Sequence, residues 1–214
     1  MADQMTAGAE AEFERAWGDA RYTRAVLPPV DVNRILGERY TAPESVALDR
    51  VMLWDMEVRK AGNPGAFIPN VVKEGTVSAW VPGREGEELG AAFVRQSQQR
   101  LWLQPEEYAL VLEETYLNHD RQVVTFLGRE SFPDAQGDPL YAAVTQPLFH
   151  VQHGVAGTNG QPLNTWRIVL LTDEPDDRLV KVFDRMAASP WLPEFVELYV
   201  QDVLGIPLTR RDDV

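Results

Sequence analysis

The sequence predicts a single α+β domain in which a curved antiparallel sheet of about five to seven strands packs against helices from both termini. Helical periodicity is confined to the two ends of the chain, β-rich runs fill the middle, and Gly/Pro-rich loops separate those runs. We therefore expect an N-terminal helical segment at 1–42, a sheet core at 43–172, a C-terminal helical pair at 173–206 and a frayed tail at 207–214. The helices are expected on one face of the sheet.

The N-terminal segment predicts two helices. The first, over residues 6–26, begins at Thr6 as its cap and places apolar side chains at helical spacing: Ala9, Phe13, Ala16, Trp17 and Ala20. The proline pair at 28–29 ends it because proline cannot continue a helix. A second short helix is expected from Asp31.

The period changes to two after Val46. Residues 51–60 alternate between Met52, Trp54, Met56 and Val58 on one side and Leu53, Asp55, Glu57 and Arg59 on the other. This alternation predicts a half-buried strand. A second strand is expected at 71–81, and the first half of 90–103 favours a helix.

Two hairpins are predicted further along the chain. Residues 108–117 and 122–128 are β-rich runs that flank a polar loop, and residues 140–154 and 165–173 form a second such pair. Pro147 lacks a backbone donor, so we expect its strand to lie at an edge or to bulge there.

The C-terminal segment returns to helical periodicity. A helix over 173–188, capped by Thr172 or Asp173, has the apolar face Leu179, Val180, Phe183 and Met186. A second helix is expected after the cap Ser189 and ends at Gly205.

Composition excludes several classes of function. The absence of cysteine rules out disulfides, thiolate nucleophiles and cysteine-ligated metals. A net charge of -13 repels a phosphate backbone, so we expect no direct nucleic-acid binding. The N-terminus lacks the pattern of a secretory signal and no apolar run approaches a membrane span, which predicts a cytoplasmic protein without membrane contact. No nucleotide-binding or hydrolase motif occurs, and we expect no cofactor.

The stretch FHVQHG at 149–154 places two histidines three positions apart. On a strand these side chains point to opposite faces and lie about 10 Å apart, so they cannot share one metal ion. We therefore predict no metal site here. His119 beside Asp120 has the beginnings of a general base, but no nucleophile can be tied to it and solvated turn chemistry is favoured.

Two adjacent glutamates interrupt a strand whose two faces are both apolar. Glu114 shares a face with Tyr116, and Glu113 lies on the other face with Val111 and Leu117. At least one carboxylate is therefore buried, and it must be paired or have a raised pKa. An ion pair with Arg59, Arg121 or Arg167 is the structural alternative to a functional acid.

We name Glu114, Tyr116 and His150 as the candidate polar groups of a pocket, with Trp54 and Met56 as ligand-stacking or core residues. If this pocket exists, Trp54, Met56 and Glu114 line it together.

Three functions stay open. The missing catalytic motifs, the acidic surface and the amphipathic ends favour a non-enzymatic binding or assembly protein that engages a protein partner or self-associates. The alternative is a small-molecule enzyme or ligand carrier with a mostly apolar cavity between sheet and helices. The third is an acidic DNA mimic that inhibits a basic protein.

Overall fold

A computed structural model describes residues 2–84 and 86–211 and shows an α+β fold around a curved antiparallel sheet. The strands are β1 (Thr23–Val26), β2 (Val30–Asp31), β3 (Tyr40–Thr41), β4 (Ser78–Trp80), β5 (Ala92–Arg100), β6 (Tyr108–Asn118), β7 (Val123–Gly128), β8 (Ser131–Pro133), β9 (Pro139–Tyr141), β10 (Phe149–Gly157), β11 (Pro162–Leu170) and β12 (Thr209–Arg210). The main sheet has the order β1-β11-β10-β7-β6-β5-β4, and β2 also pairs with β11. The predicted fold class is confirmed.

The helices are α1 (Ala2–Gly18), α2 (Val32–Arg39), α3 (Arg50–Gly62), α4 (Pro64–Phe67), α5 (Asp177–Ala187) and α6 (Glu194–Leu198), and α6 continues as a π-helical turn over Tyr199–Val203. In the described part of the chain, no helix combines the length and the apolarity needed to cross a bilayer.

The helices cover both faces of the sheet, so the expectation of one covered face is wrong. We call the face that carries Phe126, Val151 and Ile168 the inner face; it packs against α2, α3, α5 and α6 in the larger core. The opposite face, the α1 face, carries Leu127 and Val169, which pack against α1. Two covered faces explain why the central strands are apolar on both sides.

Helix α1 is held on its face by apolar contacts and by ion pairs. Ala9, Phe13 and Ala16 are buried against the sheet. Three glutamates of the helix pair with arginines of the sheet side: Glu10 with Arg121, Glu12 with Arg129 and Glu14 with Arg167. These pairs are partly exposed and contribute little each, so apolar burial dominates the docking.

The predicted boundaries of the first helix are wrong at both ends. Thr6 lies inside α1 and is buried, so it is not the cap. The helix ends at Gly18, and Asp19 accepts a hydrogen bond from the Arg21 backbone in the turn that follows. The chain then enters β1, which pairs with β11. The second predicted helix is confirmed, and Asp31 caps it by accepting from the Arg34 backbone.

The predicted strand at 51–60 is helix α3. Asp49 caps this helix by accepting a hydrogen bond from the Met52 backbone. The buried side chains Leu53, Met56, Glu57, Lys60 and Ala61 recur every three or four residues. The alternation misled because two charged side chains, Glu57 and Lys60, belong to the buried stripe rather than to solvent.

The first half of 90–103, for which the sequence favoured a helix, belongs mostly to strand β5, which lies between β4 and β6. Polar side chains at Arg95, Ser97 and Gln99 are buried here and hide the strand period. In the predicted second strand at 71–81, regular pairing is limited to β4, with two isolated bridges, Val72 to Gln99 and Val81 to Arg84.

Both predicted hairpins are confirmed. β6 pairs with β7, and β10 pairs with β11, in antiparallel register. Pro147 precedes β10, which is an interior strand between β7 and β11, so the expected edge or bulge is wrong. Gly157 has a φ of 76°, a conformation that glycine tolerates at the turn after β10.

The C-terminal helices start later than predicted. α5 is capped by Asp176 rather than by Thr172 or Asp173, and α6 follows Pro193 rather than a Ser189 cap. The expectation of a frayed tail is wrong for β12, which pairs with β3, while residues 212–214 lie outside the described residues.

Candidate ligand-binding cavity

A cavity of about 190 Å³ lies between the inner face of the sheet and the helices that cover it. Strands β7, β10 and β11 form its floor, and α3, α5 and α6 with the segments near Ile68 and Trp102 form its walls. Most lining side chains are aromatic or aliphatic: Ile68, Val71, Trp102, Phe126, Phe149, Val151, Trp166, Ile168, Phe183, Met186 and Phe195. The cavity is therefore mostly apolar, as ligand sites commonly are.

Four charged side chains are buried beside this cavity, and three of them, Lys60, Arg95 and Glu113, line it. Glu57 and Lys60 come from α3, Arg95 comes from β5 and Glu113 comes from β6, and none is more than 6% exposed. Burying an unpaired charge is costly, so each of these groups must find a partner inside the protein. They form two oppositely charged pairs, which leaves this group of four neutral overall.

Glu57 is the centre of the first pair. Lys60 Nζ lies 2.9 Å from Glu57 Oε1 and 2.8 Å from Oε2, and Asn164 Nδ2 donates to Oε1 at 2.7 Å. Burial raises the pKa of the Glu57 carboxyl, but the charge of Lys60 and the neighbouring His153 more than offset it, so the pKa is lowered. Glu57 is thus ionised and links α3 to β11.

His153 lies between this pair and the aromatic wall. Its ring stacks on Trp166 with 5.1 Å between centroids, and its Nδ1 is 2.6 Å from Lys60 Nζ. The same Nδ1 is 3.2 Å from Glu57 Oε2, so this nitrogen faces both members of the pair, and its role as donor or acceptor depends on the tautomer. Burial and the charge of Lys60 lower the pKa of His153 to about 4, which keeps the imidazole neutral.

Lys60 completes this cluster. Its Nζ is 3.6 Å from the centroid of the Phe195 ring, an arrangement in which the ammonium contacts the π-face. Burial lowers the pKa of Lys60, although Glu57 acts in the opposite direction. The ammonium is therefore held by a carboxylate, an imidazole and a ring at once.

Arg95 and Glu113 form the second pair. Arg95 Nε donates to Glu113 Oε2 at 2.8 Å, and its NH1 donates to the Ala61 carbonyl at 2.9 Å. That carbonyl belongs to the last turn of α3, where backbone carbonyls lack helical partners. Arg95 also lies over the Phe126 ring at 4.1 Å. One guanidinium therefore joins β5, β6 and the end of α3.

Three further side chains with polar groups line the cavity: Gln99, Trp102 and Glu194. The Trp102 Nε1 is enclosed and, among the described residues, has no hydrogen-bond partner, which is unusual for a buried indole. Burial raises the pKa of the Glu194 carboxyl at the start of α6. The lining therefore carries further polar side chains besides its paired charges.

The structure places the predicted polar groups elsewhere. Glu114, Tyr116 and His150 do come together, but they lie on the α1 face beneath α1. Glu114 pairs with Arg129 and accepts from the Tyr116 hydroxyl at 3.2 Å, and Gly128 donates its backbone N–H to His150 Nδ1 at 3.2 Å. Glu113 forms its ion pair with Arg95 and not with Arg59, Arg121 or Arg167, the partners expected from the sequence.

Trp54 and Met56 are buried core residues of α3 and do not line the cavity with Glu114. Trp54 Nε1 donates to His119 Nδ1 at 3.2 Å, and the two rings meet edge to face. His119 thus fixes the hairpin loop to α3 through Trp54. The two histidines of FHVQHG point to opposite faces because β10 is a strand.

Sequence reasoning missed Glu57, Lys60 and Arg95, and it chose Glu114 and His150 as pocket groups, whereas Glu113 and His153 line the cavity. One signal was available, since Glu57 and Lys60 are three positions apart and would pair on a helix. Within residues 2–84 and 86–211, no group of three or more histidines or acidic side chains is arranged to hold a metal ion.

Comparison with known proteins finds solved structures of limited similarity but no family. No family model matches the chain, and no curated protein matches it. Solved structures with a similar course of the chain include the Zhui aromatase/cyclase from Streptomyces sp. R1128, with 11% identity, a TM-score of 0.48 and coverage of 77% of this chain and 92% of that one.

Two others are Ara h 8.0201, with 10% identity, a TM-score of 0.46 and coverage of 78% and 95%, and a truncated norcoclaurine synthase from Thalictrum flavum, with 10% identity, a TM-score of 0.46 and coverage of 87% and 98%. None of these likenesses identifies a ligand for this chain.

Arg95→Met is expected to destabilise the protein by about 3–5 kcal/mol, because it leaves the buried Glu113 carboxylate without its partner. The double variant Arg95→Met/Glu113→Leu recovers most of that loss, since no charge is then stranded. Urea denaturation measures both. Arg84→Met, in the exposed pair with Glu87, is the matched control and changes stability by less than about 1 kcal/mol. Equal losses in the single and double Arg95 variants would contradict the pairing.

Stability is expected to fall between pH 7 and pH 4.5 because of His153. Its pKa is about 4 in the folded state against 6.5 for the ordinary side chain, so only the unfolded state takes up a proton there as the pH falls. The loss amounts to about 2–3 kcal/mol at pH 4.5. Burial lowers the pKa of His150 as well, so the contribution of His153 is the difference between wild type and His153→Gln. If the stability of wild type and of His153→Gln falls equally between pH 7 and pH 4.5, His153 is not the cause of the loss.

Proposed function

We propose that this protein binds a small, mostly apolar molecule with one aromatic ring and one hydrogen-bonding group in the cavity between sheet and helices. The observation that carries the proposal is a mostly apolar cavity beside which buried charges pair with one another. A dry cavity of roughly 150 Å³ in another protein holds a benzene ring, so about 190 Å³ suits one substituted ring.

The polar part of the lining supports a ligand with a hydroxyl or carbonyl oxygen. The carboxylate of Glu113 is an acceptor in the cavity wall, and the side chains of Lys60 and Arg95 carry donors. Because the charged groups already pair with one another, they suit a neutral ligand better than an ionised one. This arrangement supports binding or carriage of the molecule, and it is the alternative that the sequence left open.

The other two functions have less support. Assembly through the terminal helices needs free apolar faces, whereas Phe13, Phe183 and Phe195 are buried inside this chain. A DNA mimic needs rows of carboxylates that are not paired, and α1 does not supply one at positions 10, 12 and 14, because each of these glutamates pairs with an arginine. A cytoplasmic location and a protein partner stay as expectations from the sequence.

Ile168→Phe is expected to fill the cavity and to leave stability within about 1 kcal/mol of wild type, because the added volume enters existing space. Val169→Phe is the matched control: the neighbouring residue is fully buried against α1, so the added carbons cost about 1–3 kcal/mol. Thermal and urea unfolding measure both variants, and titration calorimetry with para-cresol measures binding.

The proposal predicts that para-cresol binds wild type and Val169→Phe and that Ile168→Phe loses at least about tenfold in affinity, or about 1.4 kcal/mol. It fails if para-cresol binds wild type and Ile168→Phe alike, or if it binds neither wild type nor the control at millimolar concentration.

A further inference from the structure

A second depression adjoins the cavity. A groove of about 410 Å³ lies between residues 27–31, helix α2 and the segment that connects α5 to α6. Trp166 and Met186 line both the groove and the cavity. The two spaces are therefore neighbours that share these two side chains as a wall.

The two wall residues differ in how firmly they are held. Trp166 stacks on His153, contacts the Phe195 ring with 5.2 Å between centroids and donates its Nε1 to Asn164. Met186 lies in the last turn of α5 and is 41% exposed. An unbranched thioether side chain changes rotamer easily, so Met186 is the part of the wall that can move.

We propose that the groove is the outer half of the ligand site, that Met186 is the gate between the halves, and that the ligand is an elongated molecule of two or more rings. This inference rests on the proposed function, because it extends the occupant of the cavity. The inner ring lies in the cavity with its oxygen at the charged lining groups, and the rest of the molecule lies in the groove.

Size and lining support this class of ligand. The cavity alone is smaller than the roughly 300–1,000 Å³ of typical ligand sites, and the groove is about twice its volume. The groove is lined by apolar side chains, among them Leu27, Pro28, Pro29, Ile35 and Trp191. Its charged lining residues, Asp31 and Arg34, are of opposite sign and each has a partner of its own. An uncharged apolar extension therefore suits the groove.

The test compares two probes that share a phenol group. Para-cresol has one ring, and para-phenylphenol has two. Ala187 lines the groove and not the cavity, so Ala187→Trp fills the groove from the end of α5. Arg185→Trp adds the same bulk to an exposed position of the same helix that lines neither space, and it is the matched control. Titration calorimetry gives affinities, and stopped-flow tryptophan fluorescence gives rates.

The inference predicts that para-phenylphenol binds wild type at least about tenfold more tightly than para-cresol, because its second ring is buried in the groove. Ala187→Trp removes this advantage and leaves para-cresol within about twofold, whereas Arg185→Trp changes neither affinity. Met186→Ala speeds association and dissociation of both probes, since the gate is then open.

The outcomes separate this inference from the proposed function. Suppose that para-cresol binds wild type and that Ile168→Phe abolishes this binding, while Ala187→Trp and Arg185→Trp bind para-phenylphenol with equal affinity. The cavity is then retained as the ligand site, and the groove is excluded as its outer half. If the rates for both probes are unchanged in Met186→Ala, the gate is excluded. If neither probe binds wild type, both proposals fall together.

Discussion

The fold depends on four charges that are buried beside its cavity. Glu57 and Lys60 on α3, Arg95 on β5 and Glu113 on β6 have almost no access to solvent, so each is stable only while its partner stays in place. This requirement fixes α3 against the sheet at two points. Glu57 reaches Asn164 on β11, and Arg95 reaches the carbonyl at the end of α3. Apolar packing alone would allow α3 to slide, whereas these directional contacts do not.

The same constraint accounts for the mostly apolar lining of the cavity. The buried charges pair with one another, and aromatic and aliphatic side chains line most of the remainder. The α1 face shows the opposite solution. There the charged groups form partly exposed pairs around a small apolar contact. The two faces of one sheet therefore differ: one packs against α1, and the other forms the floor of the cavity.

Sequence patterns were sufficient for the fold class and both hairpins, because β6, β7, β10 and β11 lie in runs rich in β-branched, aromatic and aliphatic residues, and turn residues separate the runs. They failed where polar side chains are buried. In α3, Glu57 was placed with Asp55 and Arg59 on the charged side of a strand, and in β5 the buried Arg95 hides the strand period. The candidate site failed for a related reason. Parity along β6 placed Glu113 and Glu114 on different faces correctly, but nothing local indicates which of two apolar faces carries the cavity.

The central claim is that an apolar cavity exists between the sheet and its inner helices, and a crystal structure of the protein under xenon pressure tests it most directly. Xenon enters dry apolar cavities and scatters strongly. The account predicts a xenon site in contact with Phe149, Val151 and Ile168 in wild type and none there in Ile168→Phe. Continuous side-chain packing at that position in wild type, with no xenon, would contradict it.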